Sequence, residues 1–354
     1  MRKFLVFSVA VILFLGAAFR ASLEFEKPQD LAIEFLTKSV MQNSARAFPS
    51  PNALQIFMCG TGGPIGNSGR AQACIAVITP EHFYLVDVGA GSTANLQKSG
   101  LPMDRLKGIF ITHFHSDHIA EIYEANLISW VAGRSEQLNL FGPKGIRTLV
   151  KSINETYSFD RKYRTKHHGE NLLPSNLGLI AVKKIRPGKQ IIDGELVVTP
   201  YLADHNPAHP AVGYRFDYRG RSVVISGDGN INQRTKLISN STDILFHDAL
   251  SRGLVSNLEH AARDLGLDRL SKIFFDIQDY HASTSAISMM ARDIDVKLVV
   301  FYHLVPATDA YLGEREFKRN MPENFLISKE FSLNSISFRS LILRGTKLSS
   351  KYNL

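Results

Sequence analysis

From residue 54 onward the chain is built of short apolar runs broken by glycine, proline and polar turns. Segments 54–58, 74–78 and 83–88 each read as a strand, apolar and bounded by glycine or proline. The same pattern predicts a helix over 92–98, a strand over 108–112, a strand over 138–141 that Gly142-Pro143 stops, and a helix over 146–154. A second series follows, with strands at 179–182, 196–201, 212–218, 222–226 and 243–246, a helix over 283–292 and a strand over 297–301. Two strand-rich halves with interspersed helices predict an α/β chain in which helices cover two packed sheets.

The beginning of the chain obeys a different pattern. Arg2 and Lys3 precede an uncharged apolar run over 4–19, and small residues follow at Ala21 and Ser22. A basic start, an apolar middle and a small-residue exit form the pattern of a secretory signal. The run is shorter than the roughly 20 residues a spanning helix needs. Residues 1–22 are therefore expected to be a signal peptide or, if uncleaved, an N-terminal membrane anchor. Residues 23–53, polar and punctuated by proline, read as a linker; 54–344 read as the folded domain and 345–354 as a C-terminal tail. The expected location is periplasmic or secreted, with anchoring at the membrane as the variant reading.

Composition sharpens this in three ways. With 354 residues, 44% of them hydrophobic and 21% charged, the chain can bury a sizeable core, and the absence of internal repeats argues against a solenoid. The net charge of +8, or +6 without Arg2 and Lys3, favours anionic substrates or surfaces, although the basic run over 161–166 reads first as a solvated face. Only two cysteines occur, Cys59 and Cys74. A cross-strand disulfide and two free thiols are both compatible with their positions. Any metal site must then be built from histidine and carboxylate.

Such a site is prominent. Thr112-His113-Phe114-His115-Ser116-Asp117-His118 follows the apolar strand, so His113 and His115 would share one face and grip one ion. Asp117 and His118 lie past the strand, where the chain is expected to turn into a helix around 119–124, and can serve a second ion. Imidazole with carboxylate suits zinc, and also manganese or iron, better than calcium. A polar turn of solvated histidines is the bland alternative, disfavoured by the cost of burying so many polar groups beside a core strand. Further on, three strand ends present one ligand type each: His205 in 201–207, Asp228 in 226–229 and His303 in 301–306. His209 competes with His205, but it lies in the proline-flanked stretch leading into the next strand.

The run His113, His115, Asp117, His118 resembles the signature of the metallo-β-lactamase superfamily, His-x-His-x-Asp-His after a core strand. The resemblance implies an αβ/βα four-layer sandwich spanning roughly 54–344. It implies that His113, His115 and His205 hold one metal, that Asp117, His118 and His303 hold another, and that Asp228 bridges them. Two zinc ions placed so would lower the pKa of a shared water toward roughly 7 and present hydroxide for attack, with Asp117 counted among the catalytic residues. Gly60-Thr61-Gly62-Gly63-Pro64, Asp87-Val88-Gly89-Ala90-Gly91, Phe141-Gly142-Pro143, Gly213-Tyr214-Arg215 and His281-Ala282-Ser283-Thr284 resemble the branch with ribonuclease Z, zinc phosphodiesterases and arylsulfatase-like enzymes. That branch implies His281 as general acid, oriented by Asp248 where the branch carries glutamate. Arg70 stands where it could bind a substrate anion or form a structural salt bridge. His247, His260, His167 and His168 read as structural or surface residues.

Two departures limit the resemblance. Gly229 stands where threonine usually follows the bridging aspartate. Ribonuclease Z enzymes carry a long tRNA-gripping arm between the third histidine motif and that aspartate, yet His205 and Asp228 are only 23 positions apart. The expected function is thus an exported dinuclear zinc hydrolase of a small anionic ester, a phosphodiester or sulfate ester ahead of a lactone or β-lactam. Behind it stand 3′-tRNA processing with nucleic acid as partner, and a non-catalytic metal-binding module. All seven ligand positions being filled argues against the last. A homodimer is one expected assembly, and the loops over 158–174 and 307–322 are expected to set specificity.

Overall fold

The computed structural model describes residues 2–44, 53–66, 68–337 and 341–344, so the expected tail over 345–354 lies outside the described residues. The chain divides into two compact units, Met1–Ala47 and Phe48–Leu354. The first consists of helices α1 (Arg2–Ser22) and α2 (Glu26–Ser44). Most of the stretch expected as a linker is thus helical. Pro28 falls in the first turn of α2, where a missing N–H costs nothing, and Leu31-Ala32-Ile33-Glu34-Phe35-Leu36 continues the helix. No helix of the described residues is long and apolar enough to cross a membrane.

The second unit carries two sheets. Strands β1 (Ala53–Gly60), β2 (Cys74–Ile78), β3 (Phe83–Val86), β4 (Gly108–Phe110), β5 (Leu138–Gly142) and β6 (Ile180–Lys184) lie in that order in the first. Strands β14 (Leu333–Ser337) and β15 (Leu341–Arg344) extend it beyond β1. The other sheet runs from β7 (Ile191–Asp193) through β8 (Leu196–Leu202), β9 (Val212–Tyr218), β10 (Arg221–Ile225), β11 (Thr242–Leu250) and β12 (Val296–Val305) to β13 (Phe325–Ile327). Pairing is parallel from β3 to β6 and from β10 to β13, where helices make the crossovers, and antiparallel elsewhere.

Alternation along the strands builds the layers. Leu54, Ile56 and Met58 of β1 face the gap between the sheets, against Val198, Tyr214, Phe216, Val223 and Phe246 of the opposite sheet. Phe57 and Cys59 face outward, where Leu96 of helix α3 (Ser92–Ser99) and Ile122 and Ala125 of α5 (Ile122–Val131) cover them with Ile146 of α6 (Ile146–Thr156). The outer face of the second sheet lies under Ile287 and Met290 of α11 (Thr284–Arg292). The result is the expected helix, sheet, sheet, helix sandwich. Phe110 pins its centre: it stacks on Phe141 at 4.4 Å and meets Tyr214 and Phe216 edge-on at 5.2 and 5.5 Å. On the outward face, where β1 bulges after Met58, Cys59 and Cys74 form a disulfide, which decides between the two readings of that pair.

Several element boundaries depart from the sequence pattern. The strand expected over 83–88 ends at Val86 and the one over 108–112 at Phe110. The helix expected around 119–124 is two helices, α4 (Ser116–Ile119) and α5, so Asp117 and His118 are helical. The expected loop over 158–174 contains helix α7 (Ser158–His168), and the one over 307–322 contains α12 (Tyr311–Phe317). Helix α8 (Gln233–Ser239) and the hairpin of α9 (Arg252–Asp264) and α10 (Asp268–Asp276) are further additions. Few positions of these helices are fully buried, and α9 and α10 pack chiefly on each other. In α7 only Arg161 and Thr165 are buried, and Arg164 pairs with Asp160 one turn away.

Candidate metal centre

Asp87 starts the construction. It follows β3 in a left-handed conformation, with φ of 58°, that a non-glycine residue adopts only under constraint. The constraint is visible: its carboxylate accepts from the Thr112 backbone N–H and from Thr112 Oγ1, each at 2.8 Å, and lies 2.8 Å from His118 Nδ1. Asp87 thereby orients a predicted ligand, His118, the role a metal site commonly gives a carboxylate behind an imidazole. Beside it, Gly89 lets the two loops meet, since a Cβ there would lie 2.1 Å from the Asp117 carbonyl oxygen. From the opposite sheet, Tyr214 Oη donates to the Ile111 carbonyl at 2.6 Å and the Val212 N–H to that of Thr112 at 3.0 Å. The histidine loop is thus held by both sheets.

The sequence-predicted ligands come together from four separated segments, 113–118, 205, 228 and 303. His113 Nε2 lies 2.9 Å from His115 Nδ1, and His205 Nε2 lies 3.3 Å from the same atom. His205 donates through Nδ1 to the Tyr280 carbonyl at 2.8 Å, which leaves Nε2 as its free lone pair. His209 is exposed and outside the cluster. In the second group, His303 Nε2 lies 2.9 Å from Asp117 Oδ2. Asp228 Oδ2 lies 3.2 Å from Nε2 of both His118 and His303, and 3.9 Å from Nε2 of both His113 and His205. One carboxylate oxygen therefore stands between the two groups.

His303 reaches this point through an irregularity. Along β11 and β12, Asp248 pairs with Tyr302 and Ala249 with Leu304, so His303 is skipped, with φ of 43°. The bulge turns its ring out of the ladder and into the site. Gly229, read from sequence as a lost threonine, has its own reason: φ is 148° and a Cβ would lie 2.6 Å from the Asp204 carbonyl oxygen.

Charge and burial suit this donor set to divalent metal ions. Burial, with His118 nearby, holds His113 well below the usual imidazole range, and burial also lowers His115 and His205, keeping these rings neutral with lone pairs to give. Burial opposes charge on Asp117, yet its hydrogen bond with His303 and the nearby imidazoles pull it to about 2. Asp228, also buried, is held well below the carboxylate range by His303 and His118. Those two imidazoles are raised despite burial, His118 by Asp228 and Asp87, His303 by Asp228 and Asp117. The carboxylates thus demand positive charge at their centre. Asp228 Oδ1 is buried with no hydrogen-bond partner among the described residues, as a group awaiting an ion would be.

His281 adjoins the centre. Its ring lies 5.1 Å from that of His205 and 5.4 Å from that of His303, and its Nδ1 lies 2.9 Å from Asp248 Oδ2. The aspartate is long enough because the His281 loop is stitched to β11: the Leu250 N–H donates to the Ala282 carbonyl at 2.8 Å. Asp248 is buried, a condition that raises a carboxyl, but His247 and His281 hold it below the usual range. His247, expected as structural, adjoins this pair: its Nδ1 donates to the Asp248 backbone carbonyl at 2.9 Å and lies 2.9 Å from Asp248 Oδ1. Arg70 is a correction. Its guanidinium donates to the Thr308 and Ser328 carbonyls and to Thr61 Oγ1 at 2.7 to 2.8 Å, and pairs with Glu314 at 2.7 Å. With its donors so engaged and its side chain buried, it clasps loops together rather than meeting a substrate anion. Sequence reasoning missed Asp87 and the Tyr280 carbonyl; Asp87 was visible in a glycine-rich turn, but its partners are 25 and 31 residues away.

Fold and site define a metal-binding hydrolase of the metallo-β-lactamase superfamily. Solved structures agree on the fold: YhfI from Bacillus subtilis aligns with a TM-score of 0.59 at 14% identity, over 80% of this chain and 100% of that one. Human tRNase Z, short form, aligns with a TM-score of 0.56 at 17% identity, over 79% and 98%. Among sequence relatives, the ribonuclease Z of Mycolicibacterium gilvum is 27% identical over 72% of this chain and 85% of its own length. The ribonuclease Z of Mycobacterium bovis is 29% identical over 72% and 87%. Within the superfamily the chain belongs to the family described as Anti-Pycsar protein Apyc1, whose family model matches residues 54–305.

Proposed function

We propose that this chain is an exported, dinuclear metal-dependent phosphodiesterase acting on a small phosphodiester. The observation that carries the reading is Asp228 Oδ2 between two ligand groups, 3.2 Å from one and 3.9 Å from the other, with the His281–Asp248 pair beside it. His113, His115 and His205 would hold one ion, Asp117, His118 and His303 the other, and Asp228 would touch both, with zinc as the first candidate and manganese or iron fitting the same donors. Ions bound there supply Lewis acidity toward a phosphoryl oxygen and an activated water.

The chain's own residues do the rest. Asp87 and the Tyr280 carbonyl fix the rings of His118 and His205. Asp248 holds His281 through Nδ1, leaving Nε2 to give a proton to the departing oxygen, help worth about 10²–10⁴-fold. A phosphodiester is favoured over a sulfate ester, lactone or β-lactam because relatives are named ribonuclease Z and a structural neighbour a diphosphatase of the PhnP family.

Two observations separate this from 3′-tRNA processing and support export. The span from His205 to Asp228 is occupied by the β9–β10 hairpin, which leaves no room for a gripping arm. The Cys59–Cys74 disulfide is a bond that persists in oxidising compartments, in keeping with the basic, apolar start of α1. The test is hydrolysis of bis-p-nitrophenyl phosphate by the full chain with and without chelator, alongside fractionation of the producing cell. Chelator-insensitive turnover, or none with two metals bound, would sink the catalytic reading; a reduced, cytoplasmic protein would sink export.

A further inference from the structure

Behind the His281 loop, two helix N-termini open on one cavity of about 260 Å³. Ser251 caps α9 by accepting from the Leu254 N–H, and Ser283 caps α11 by accepting from that of Ala286. Among the described residues the N–H groups of Arg252, Gly253, Thr284 and Ser285 have no partner, and all four residues line the cavity. Arg252, Arg292 and Arg319 surround it, all exposed. A second observation points to a ligand: Ser288, on the cavity wall and only 4% exposed, has a buried hydroxyl with no partner among the described residues.

Glu316 is the one carboxylate of the lining. It lies against Gly253 and pairs with Arg319, so it can serve the start of α9. It leaves the start of α11, Ser288 and two guanidinium groups uncompensated. A helix N-terminus favours an oxyanion through free N–H groups and the helix dipole, and guanidinium adds charge-assisted hydrogen bonds.

We propose that this cavity binds a phosphate group, free or carried by a monoester, at a site separate from the metal centre. The ligand would touch Ser283, two residues from His281, so it would occupy the far side of the loop that carries the proposed acid. The two sources are distinguished by titrating the full-length, metal-loaded protein calorimetrically with inorganic phosphate and, separately, with adenosine 5′-monophosphate. The tighter of the two names the source. Arg292→Glu/Arg319→Glu, which alters only exposed side chains, and Ser288→Ala, which removes only a hydroxyl, should each weaken binding at least roughly tenfold with unchanged circular dichroism. His115→Ala, which cripples the metal centre instead, should leave this binding in place. Affinity within twofold of wild type in both cavity variants, or binding lost with His115→Ala alone, would overturn the proposal.

Discussion

At the scale of single residues, the site separates ligands from the groups that aim them. His115 is the most exposed of the seven predicted ligands, and its ring lies 4.6 Å from that of His113 and 5.1 Å from that of His205. His115→Ala should therefore abolish hydrolysis and lower metal content by mass spectrometry while leaving the fold intact, because this side chain stabilises mainly through what it binds. Asp87 is the opposite case. It touches no ion position, yet Thr112 and His118 both depend on it. Asp87→Ala should cost about 10–100-fold in metal affinity, measured by chelator competition. It should also lower the urea midpoint, since the Thr112 N–H is left buried and unpaired.

Among elements, the β1–β2 pair has two supports that can be tested apart. The Cys59–Cys74 disulfide closes a loop with a sequence separation of 15, for which chain entropy gives about 3 kcal/mol. The Cys59→Ser/Cys74→Ser variant should lose stability of that order in denaturant unfolding, and reducing agent should do the same to wild type. Glu330 supplies the other. It accepts from the Ala71 N–H and from Asn95 Nδ2, and burial raises its carboxyl above the ordinary 4.5. A raised folded-state value means the contribution is complete below 4.5 and is lost as pH rises through the raised value. Glu330→Gln should therefore flatten the decline of stability that sets in as pH rises above 4.5 in urea titrations. An equal slope in both proteins would contradict this account.

The whole molecule bears on substrate size. Between His205 and Asp228 the chain is spent on β9, β10 and their turn, and these strands pair with β8 and β11 inside the sheet. Nothing projects from this stretch to hold a tRNA elbow, so precursor tRNA should be cleaved far less efficiently than bis-p-nitrophenyl phosphate at equal enzyme concentration. Efficient tRNA cleavage would reverse the preference between the two readings.

The amino-acid sequence by itself determined the sandwich and the identity of the ligand types, because apolar alternation and the density of histidine and aspartate between 113 and 118 are local properties. It also placed His205, Asp228 and His303 as candidates, each at the end of an apolar run, while His281 came from the resemblance of its motif to the ribonuclease Z branch. Only the tertiary structure decided the use of the remaining parts. Arg70 became a clasp because its four partners come from three separate segments, at Thr61, from Thr308 to Glu314, and at Ser328. Asp87 and His247 acquired roles through contacts, and His303 entered the site through a bulge that depends on the pairing of β11 with β12. Chemistry carried by a residue's type is written locally, whereas orientation, charge pairing and backbone strain arise only when distant segments are packed together.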